Sequence, residues 1–84
     1  MDISTAIIPH HAAQQMAKRL ISEAQLRDVL ERPESVLPVR AGRVVAQAVR
    51  GHYLLRVFVD VDREPAEVVT AYRTSKIEKY RSKP

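Results

Sequence analysis

Apolar and polar residues alternate with a period of two from Arg43 to Thr74, and this alternation is typical of β-strands. It predicts consecutive strands joined by a two-residue turn at Arg50-Gly51 and a four-residue turn at 62–65. The run 35–40 favours a short strand at the sheet edge, because Pro38 has no N–H to donate. The three main strands are expected at residues 43–49, 52–61 and 66–73.

The first third of the chain has helical periodicity instead. From His10 to about Leu20, apolar residues recur every three or four positions, which predicts a helix with one apolar face. Ser22 and Gln25 have the spacing of a capping box, so a second helix is expected to begin at about Glu23. Pro33 cannot continue that helix and ends it. The pattern predicts an α+β fold, with two N-terminal helices packed on a three- to four-stranded antiparallel sheet.

A chain of 84 residues is expected to form one domain. Ile77 and Tyr80 are three positions apart, so one helical turn after the sheet can dock through both side chains. We divide the chain into a lead-in, a helical pair, a sheet and a basic tail at residues 1–9, 10–32, 35–73 and 74–84.

Strict alternation assigns the strand residues to two faces of the sheet. The nearly all-apolar face is expected under the helices, and the other face combines apolar residues with Arg43, His52, Arg56 and Arg73. A β-bulge would reverse the facing of every residue beyond it. The residues assigned to the helix-covered face are Val44, Ala46, Ala48, Tyr53, Leu55, Val57, Val59, Val68, Thr70 and Tyr72.

Positive charge is concentrated in the second half of the chain. Residues 1–39 carry a net charge of −1 and residues 40–84 a net charge of +5. This asymmetry suits a polyanion such as RNA, or an acidic protein partner, although an ordinary soluble protein with a basic pI has the same composition. The chain has no apolar run long enough to span a membrane and no signal-peptide pattern, so a cytoplasmic location and no membrane partner are expected.

The residue inventory excludes several kinds of chemistry. Because cysteine is absent, disulfide scaffolds and thiolate metal sites are excluded. His10 and His11 are adjacent and point in different directions, so no metal site is predicted. With two glycines and no Gly-rich phosphate loop, a nucleotide cofactor is not expected either.

The side chains that remain as candidates, mainly arginines and histidines, are of the types that metal-independent RNA cleavage requires. An arginine can neutralise the charge that grows on the phosphate, and a histidine, a tyrosine or a carboxylate can deprotonate the 2′-hydroxyl. His11 and His52 are the histidines considered for this role. The same basic residues can equally form a solvated sheet face or bind an acidic segment, and Tyr80 can either stack on a base or only pin the tail.

Several motifs give the chain a resemblance to a known group of proteins. The most specific are His11-Ala12 at the helix start, Ile21-Ser22 at the cap and Val69–Thr74 at the end of the sheet. With these, about residues 10–80 resemble a small bacterial domain-of-unknown-function family that is itself similar to the BrnT and RelE toxins of toxin–antitoxin modules. The further residues that carry the resemblance are Met16, Arg19, Leu30, Pro33, Val36, Gly42, Arg43, Tyr53, Leu54, Val57, Ser75 and Lys76.

The resemblance implies a RelE/BrnT-like fold and a metal-independent endoribonuclease that acts on RNA, including ribosome-bound mRNA, and is held inactive by a cognate antitoxin. The alternative is a non-catalytic binding module for RNA or an acidic protein. The residues then expected to be catalytic are His11, Arg19, Arg56 and Arg73. The residues expected to contact RNA or a partner are Arg43, His52, Lys76 and Tyr80.

Overall fold

The computed structural model describes residues 2–81, and that part of the chain has an α+β fold in which two N-terminal helices pack on a four-stranded antiparallel sheet. The predicted fold class is therefore confirmed. Met1 of the predicted lead-in and residues 82–84 of the predicted tail lie outside the described residues. The elements are α1 (His10–Lys18), α2 (Glu23–Glu31), β1 (Ser35–Arg40), β2 (Arg43–Arg50), β3 (Tyr53–Asp60), β4 (Glu67–Thr74) and α3 (Ile77–Arg81).

The helix boundaries follow from local chemistry that the sequence shows. The Ser22 hydroxyl accepts a hydrogen bond from the Gln25 backbone N–H at 3.1 Å, and the Ser22 N–H donates to Gln25 Oε1 at 2.8 Å. This capping box fixes the start of α2, as predicted. Between the helices, Leu20 adopts a left-handed backbone with φ of 59°, which ends α1. None of the helices in residues 2–81 is both long and apolar enough to cross a membrane.

The strands follow one another in the order β1-β2-β3-β4, and neighbours are antiparallel. Arg50 pairs with Tyr53, so the β2–β3 turn consists of Gly51 and His52, and the prediction of a turn at Arg50-Gly51 is wrong. Gly51 has a φ of 63°, a conformation that two-residue hairpin turns require. The pairing therefore shifts by two residues, which brings Arg56 opposite Gln47. An even shift leaves the facing of β2 and β3 as predicted.

A β-bulge at Val69 changes the facing of the second half of β4. Val59 pairs with Val68, whereas Phe58 pairs with Thr70, so Val69 is an extra residue in β4. Every residue from Thr70 onward is displaced by one position relative to the alternation that the sequence predicts.

Two pairs show the effect of the bulge. Ala71 pairs with Val57 on the helix-covered face and is fully buried, while Tyr72 pairs with Arg56 on the opposite face. Arg73 pairs with Leu55 and faces the same way as Ala71. Strict alternation places Tyr72 under the helices and Ala71 and Arg73 on the opposite face, and these three placements are wrong.

The main core lies between the two N-terminal helices and one face of the sheet. Ala46, Ala48 and Ala71 are fully buried there, and their small side chains let the helices approach the strands closely. The segment before α1 contributes too, since Ile3 and Ala6 are buried in the same cluster. The larger members of the core are Met16, Ile21, Leu26, Val29, Leu30, Leu55, Val57, Val59 and Val68.

We call the opposite side of the sheet the outer face, and a short helix partly covers it. The predicted helical turn in the tail is present as α3, and it packs against β3. Val45, Gln47 and Leu54 are buried on this side although they lie outside the main core. The Gln47 side chain, 1% exposed, donates from Nε2 to the Tyr80 carbonyl oxygen at 3.0 Å, which ties α3 to β2.

Candidate functional site

Arg56 lies half-buried on the outer face, surrounded by aromatic rings. Its Cζ atom is 5.4 Å from the centroid of Phe58, 5.8 Å from that of Tyr72 and 4.2 Å from that of Tyr80. Its Nε donates to Gln47 Oε1 at 2.9 Å, and its NH1 donates to the Tyr72 hydroxyl at 2.7 Å. Because these contacts join β2, β3, β4 and α3, Arg56 holds the outer face together.

Tyr80 lies over Arg56 and shares a hydrogen bond with Tyr72. This hydrogen bond, together with the positive charges of Lys79 and Arg56, holds the pKa of the Tyr80 phenol below its ordinary value. The Lys79 ammonium is 5.3 Å from the Tyr80 ring centroid. Tyr80 was predicted to contact RNA or a partner, and in the structure it pins α3 to the sheet, which was the other interpretation of this residue.

Arg43 is neutralised within the sheet. It faces Asp60 directly across the β2–β3 ladder, and its Nε and NH2 donate to the two carboxylate oxygens at 2.6 and 3.2 Å. This two-point contact lowers the pKa of Asp60 and raises that of Arg43. Arg43 therefore adds little net charge to the outer face.

Arg19 anchors the end of α1 to the outer edge of β4. Its NH1 donates to the Ala71 carbonyl oxygen at 2.9 Å and to the Thr70 hydroxyl at 3.0 Å. The Thr70 hydroxyl in turn donates to Gln15 Oε1 at 2.7 Å. All of these acceptors are uncharged, so the positive charge of Arg19 is not cancelled by its contacts.

His11 and Arg56 lie on opposite sides of the sheet. His11 is exposed on α1, which packs against β4 from the helix-covered side, whereas Arg56 belongs to the outer face. The structure therefore does not bring these two predicted catalytic residues together. In the part of the chain that the structure describes, no three His, Asp or Glu side chains are grouped as metal ligands would be.

Arg73 lies near the end of β4 on the helix-covered face, lines a pocket together with Gln25 of α2, and is exposed. Its Cζ atom is 5.2 Å from the centroid of the Tyr53 ring, and among residues 2–81 it makes no ion pair. Tyr53 is 44% exposed, so the prediction that places it in the core is wrong. Tyr53 has the facing of a core residue, but it is the first residue of β3 and lies at the end of the strand, where its side chain stays accessible to solvent.

A small pocket of about 40 Å³ opens beside the pair formed by Arg73 and Tyr53. Gln25 contributes to its wall, and because Gln25 Oε1 already accepts from the Ser22 N–H, its free amide hydrogens are the part of this side chain available to a ligand. The residues that line the pocket are Ile21, Gln25, Arg50, Tyr53, Leu55 and Arg73.

Exposed cations cluster at the end of the molecule where this pocket opens. Lys18 and Arg19 end α1, and neither forms an ion pair within residues 2–81. Arg73 and Lys76 lie at the end of β4, two and five residues beyond the Ala71 carbonyl that Arg19 contacts. His52 joins them from the β2–β3 turn, and Tyr53 joins them from the start of β3. We call this surface the basic end and define it as Lys18, Arg19, His52, Tyr53, Arg73 and Lys76.

The other arginines contrast with the basic end, because most of them pair with a carboxylate. Arg50 Nε lies 2.5 Å from Asp28, and Arg81 Nε lies 3.2 Å from Glu34. Pairing removes most of their charge from the field that a distant polyanion would feel. The arginines paired in this way are Arg27, Arg32, Arg43, Arg50, Arg63 and Arg81.

Sequence reasoning found part of the basic end and missed the rest. The sequence predicts four residues of the basic end as site residues: Arg19, His52, Arg73 and Lys76. It predicts Arg43 and Arg56 for the same site, but the structure places these two on the outer face. Tyr53 was missed because alternation alone assigned it to the core. Its position next to a turn is the signal that could have found it.

The chain matches a known protein family over more than half of its length. The model of the family described as "Domain of unknown function (DUF4258)" matches residues 8–73. No curated protein and no solved structure matches the chain.

Proposed function

The chain belongs to the DUF4258 family of small domains, and from this starting point we propose that it binds RNA through its basic end. The observation that carries the proposal is the contact between Arg73, which has no carboxylate partner, and the exposed ring of Tyr53. An unpaired guanidinium keeps its fork of donors available for phosphate oxygens. An exposed tyrosine offers a flat surface on which a base can stack.

The arrangement of charge supports the same proposal. Lys18, Arg19 and Lys76 belong to the same basic end as the stacked pair. The two acidic residues of α2 within three residues of Gln25 are paired, Glu23 with Arg27 and Asp28 with Arg32 and Arg50. A surface with several cations that are not paired with a carboxylate among residues 2–81 attracts a polyanion. The similarity to BrnT and RelE toxins that the sequence motifs imply for this family extends the proposal, with mRNA as the target and an antitoxin as a regulatory partner.

Replacing Arg73 with alanine is expected to weaken the binding of a single-stranded RNA oligonucleotide about tenfold, because one phosphate contact and part of the stacking surface are lost. The slope of log K against log salt concentration should fall by about 1, since fewer counterions are released. Fluorescence anisotropy with a labelled oligonucleotide, measured at several salt concentrations, gives both quantities.

The matched control for this experiment is Arg63→Ala. Arg63 lies in the β3–β4 turn, at the other end of the strands, and pairs with Asp62 and Glu67. Its loss removes the same charge and should leave the affinity unchanged. If the wild-type protein does not bind RNA, or if both variants bind equally well, RNA binding at the basic end is ruled out. Binding of an acidic peptide in place of RNA would then favour the protein-partner function.

RNA cleavage is a second candidate function, and the position of His52 favours it. His52 is exposed and directly precedes Tyr53, whose ring contacts Arg73. In metal-independent cleavage an imidazole accepts the 2′-hydroxyl proton while the 2′-oxygen forms a bond to phosphorus, and a guanidinium stabilises the charged phosphate. The bond from phosphorus to the 5′-oxygen breaks, and the 5′-oxygen takes its proton from the imidazolium or from water. In this arrangement His52 and Arg73 take the base and phosphate-binding roles, and Arg56 has none.

If the domain cleaves RNA, His52→Ala is expected to reduce the rate 10²- to 10⁴-fold, which is the usual contribution of a general base, while RNA affinity changes little. The assay is gel analysis of a labelled oligonucleotide in the presence of a chelator. His11→Ala should retain the rate, because His11 lies at the start of α1. A loss of rate in His11→Ala alone would assign the base to His11, and intact RNA with the wild-type protein would exclude cleavage while RNA binding stands.

A further inference from the structure

The pocket beside Tyr53 has the size and chemistry of a subsite for a single small group. Its volume of about 40 Å³ corresponds to roughly three water molecules, on the basis that one water needs about 10–15 Å³ measured this way. A space of this size suits a small group such as a tetrahedral oxyanion. The pocket is closed at its base by Ile21 and Leu55, which are 4% and 5% exposed.

The polar wall of the pocket presents donors. Arg73 and the amide group of Gln25 face it with hydrogens that are not used within residues 2–81. The third polar residue, Arg50, already uses its donors within the protein, since it donates to Asp28 and to the carbonyl oxygens of Val49 and Arg32. An entering group therefore meets free donors, an apolar base and no carboxylate, and this combination selects an anion over a cation.

We propose that this pocket takes one phosphate group of an unpaired RNA strand, while the neighbouring base stacks on the exposed ring of Tyr53. The inference rests on the proposed RNA-binding function and specifies its substrate class. The bases of a duplex already stack on their neighbours, so they cannot reach the Tyr53 ring while a phosphate occupies the pocket. The domain therefore selects single-stranded over double-stranded RNA.

The first test compares a single-stranded RNA oligonucleotide with a blunt duplex that contains the same strand. The wild-type protein should bind the single strand about tenfold more tightly, as expected for the loss of one base stack in the duplex. Tyr53→Leu should remove this preference, because the aliphatic side chain fills the same place without a flat ring. Tyr53→Phe keeps the ring and should keep the preference.

The second test concerns the pocket itself and uses Gln25→Glu. Glutamate preserves the capping box with Ser22, so α2 keeps its start, but it replaces the amide donor with a carboxylate that repels phosphate. We expect about a tenfold loss of affinity for the single strand, comparable to the loss of one specific contact. Ala24→Glu adds the same charge at the preceding, exposed residue of α2 and should change the affinity less than threefold.

The outcomes separate this inference from the function on which it rests. If no RNA binds, the proposed function fails. If RNA binds but the single strand and the duplex bind equally, or if Tyr53→Leu retains the wild-type preference, only the inference fails. NMR amide shifts provide a measurement without substitutions: titration of the single strand should move the signals of Ile21, Gln25 and Leu55, and unchanged signals at these residues would exclude the pocket.

Discussion

Replacing Arg56 with alanine is expected to lower the free energy of unfolding by about 3 kcal/mol. The substitution leaves the side-chain oxygen Oε1 of Gln47, a residue that is 1% exposed, without the Arg56 donor that it has in the native protein. It also removes the guanidinium from its contacts with Phe58, Tyr72 and Tyr80. A buried polar atom without a partner costs about 1–3 kcal/mol, and the lost packing adds to this cost.

Urea denaturation followed by circular dichroism measures this effect. Arg40→Ala is the control, because Arg40 is exposed on β1 and its removal changes the net charge by the same amount. Its effect should stay within about 0.5 kcal/mol, as is usual for surface positions. If Arg56→Ala unfolds like the wild-type protein and instead loses RNA affinity, then Arg56 is a binding residue, as the sequence first indicated, and its structural role is wrong.

Replacing Ala71 with lysine is expected to cost about 3–5 kcal/mol, which is the penalty for an uncompensated buried charge. Ala71 is fully buried under the helices, and the guanidinium of Arg19 lies beside its carbonyl oxygen, so a lysine here meets a like charge. This prediction tests the bulge at Val69 directly. Without the bulge, residue 71 would lie on the outer face, where a lysine can reach solvent.

Thermal and urea unfolding of Ala71→Lys should therefore show a greatly destabilised or unfolded protein. Ala71→Leu is a less destabilising substitution for use if the lysine variant cannot be purified. Overpacking in this variant is expected to lower the free energy of unfolding by about 1–3 kcal/mol. Arg73→Ala, two residues along the same face, should be nearly neutral for stability because Arg73 is exposed. Wild-type stability in both Ala71 variants would contradict the bulge.

The sequence is sufficient to predict those elements that are determined by interactions between residues close together in the chain. The capping box at Ser22 and the breaker Pro33 bound α2, and the alternation in β2 and β3 separates their two faces. The predicted facing of β2 and β3 is correct although the predicted position of the turn between them is wrong. This is because the resulting error in register is an even number of residues. The error in register prevents the sequence from predicting the ion pair between Arg43 and Asp60, since those residues face each other only in the true register.

The candidate site depended on features that single-sequence patterns do not contain. Nothing in the residues around Val69 marks a bulge, which arises from the fit between β3 and β4, yet it decides that Arg73 and Arg56 lie on opposite faces. Which cations remain unpaired also depends on three-dimensional contacts. A list of basic residues could therefore name Arg73 and His52, but it could not separate them from the structural Arg56.

The distribution of aromatic residues has a consequence for spectroscopy. The chain has no tryptophan and three tyrosines, and none of the three belongs to the main core. Tyr72 and Tyr80 lie together on the outer face, and Tyr53 lies alone at the basic end. Intrinsic ultraviolet emission therefore reports on these two surfaces and not on the packing under the helices. In a Tyr53→Phe protein the remaining signal comes from the outer face alone, so the difference from the wild-type spectrum isolates the tyrosine beside the pocket.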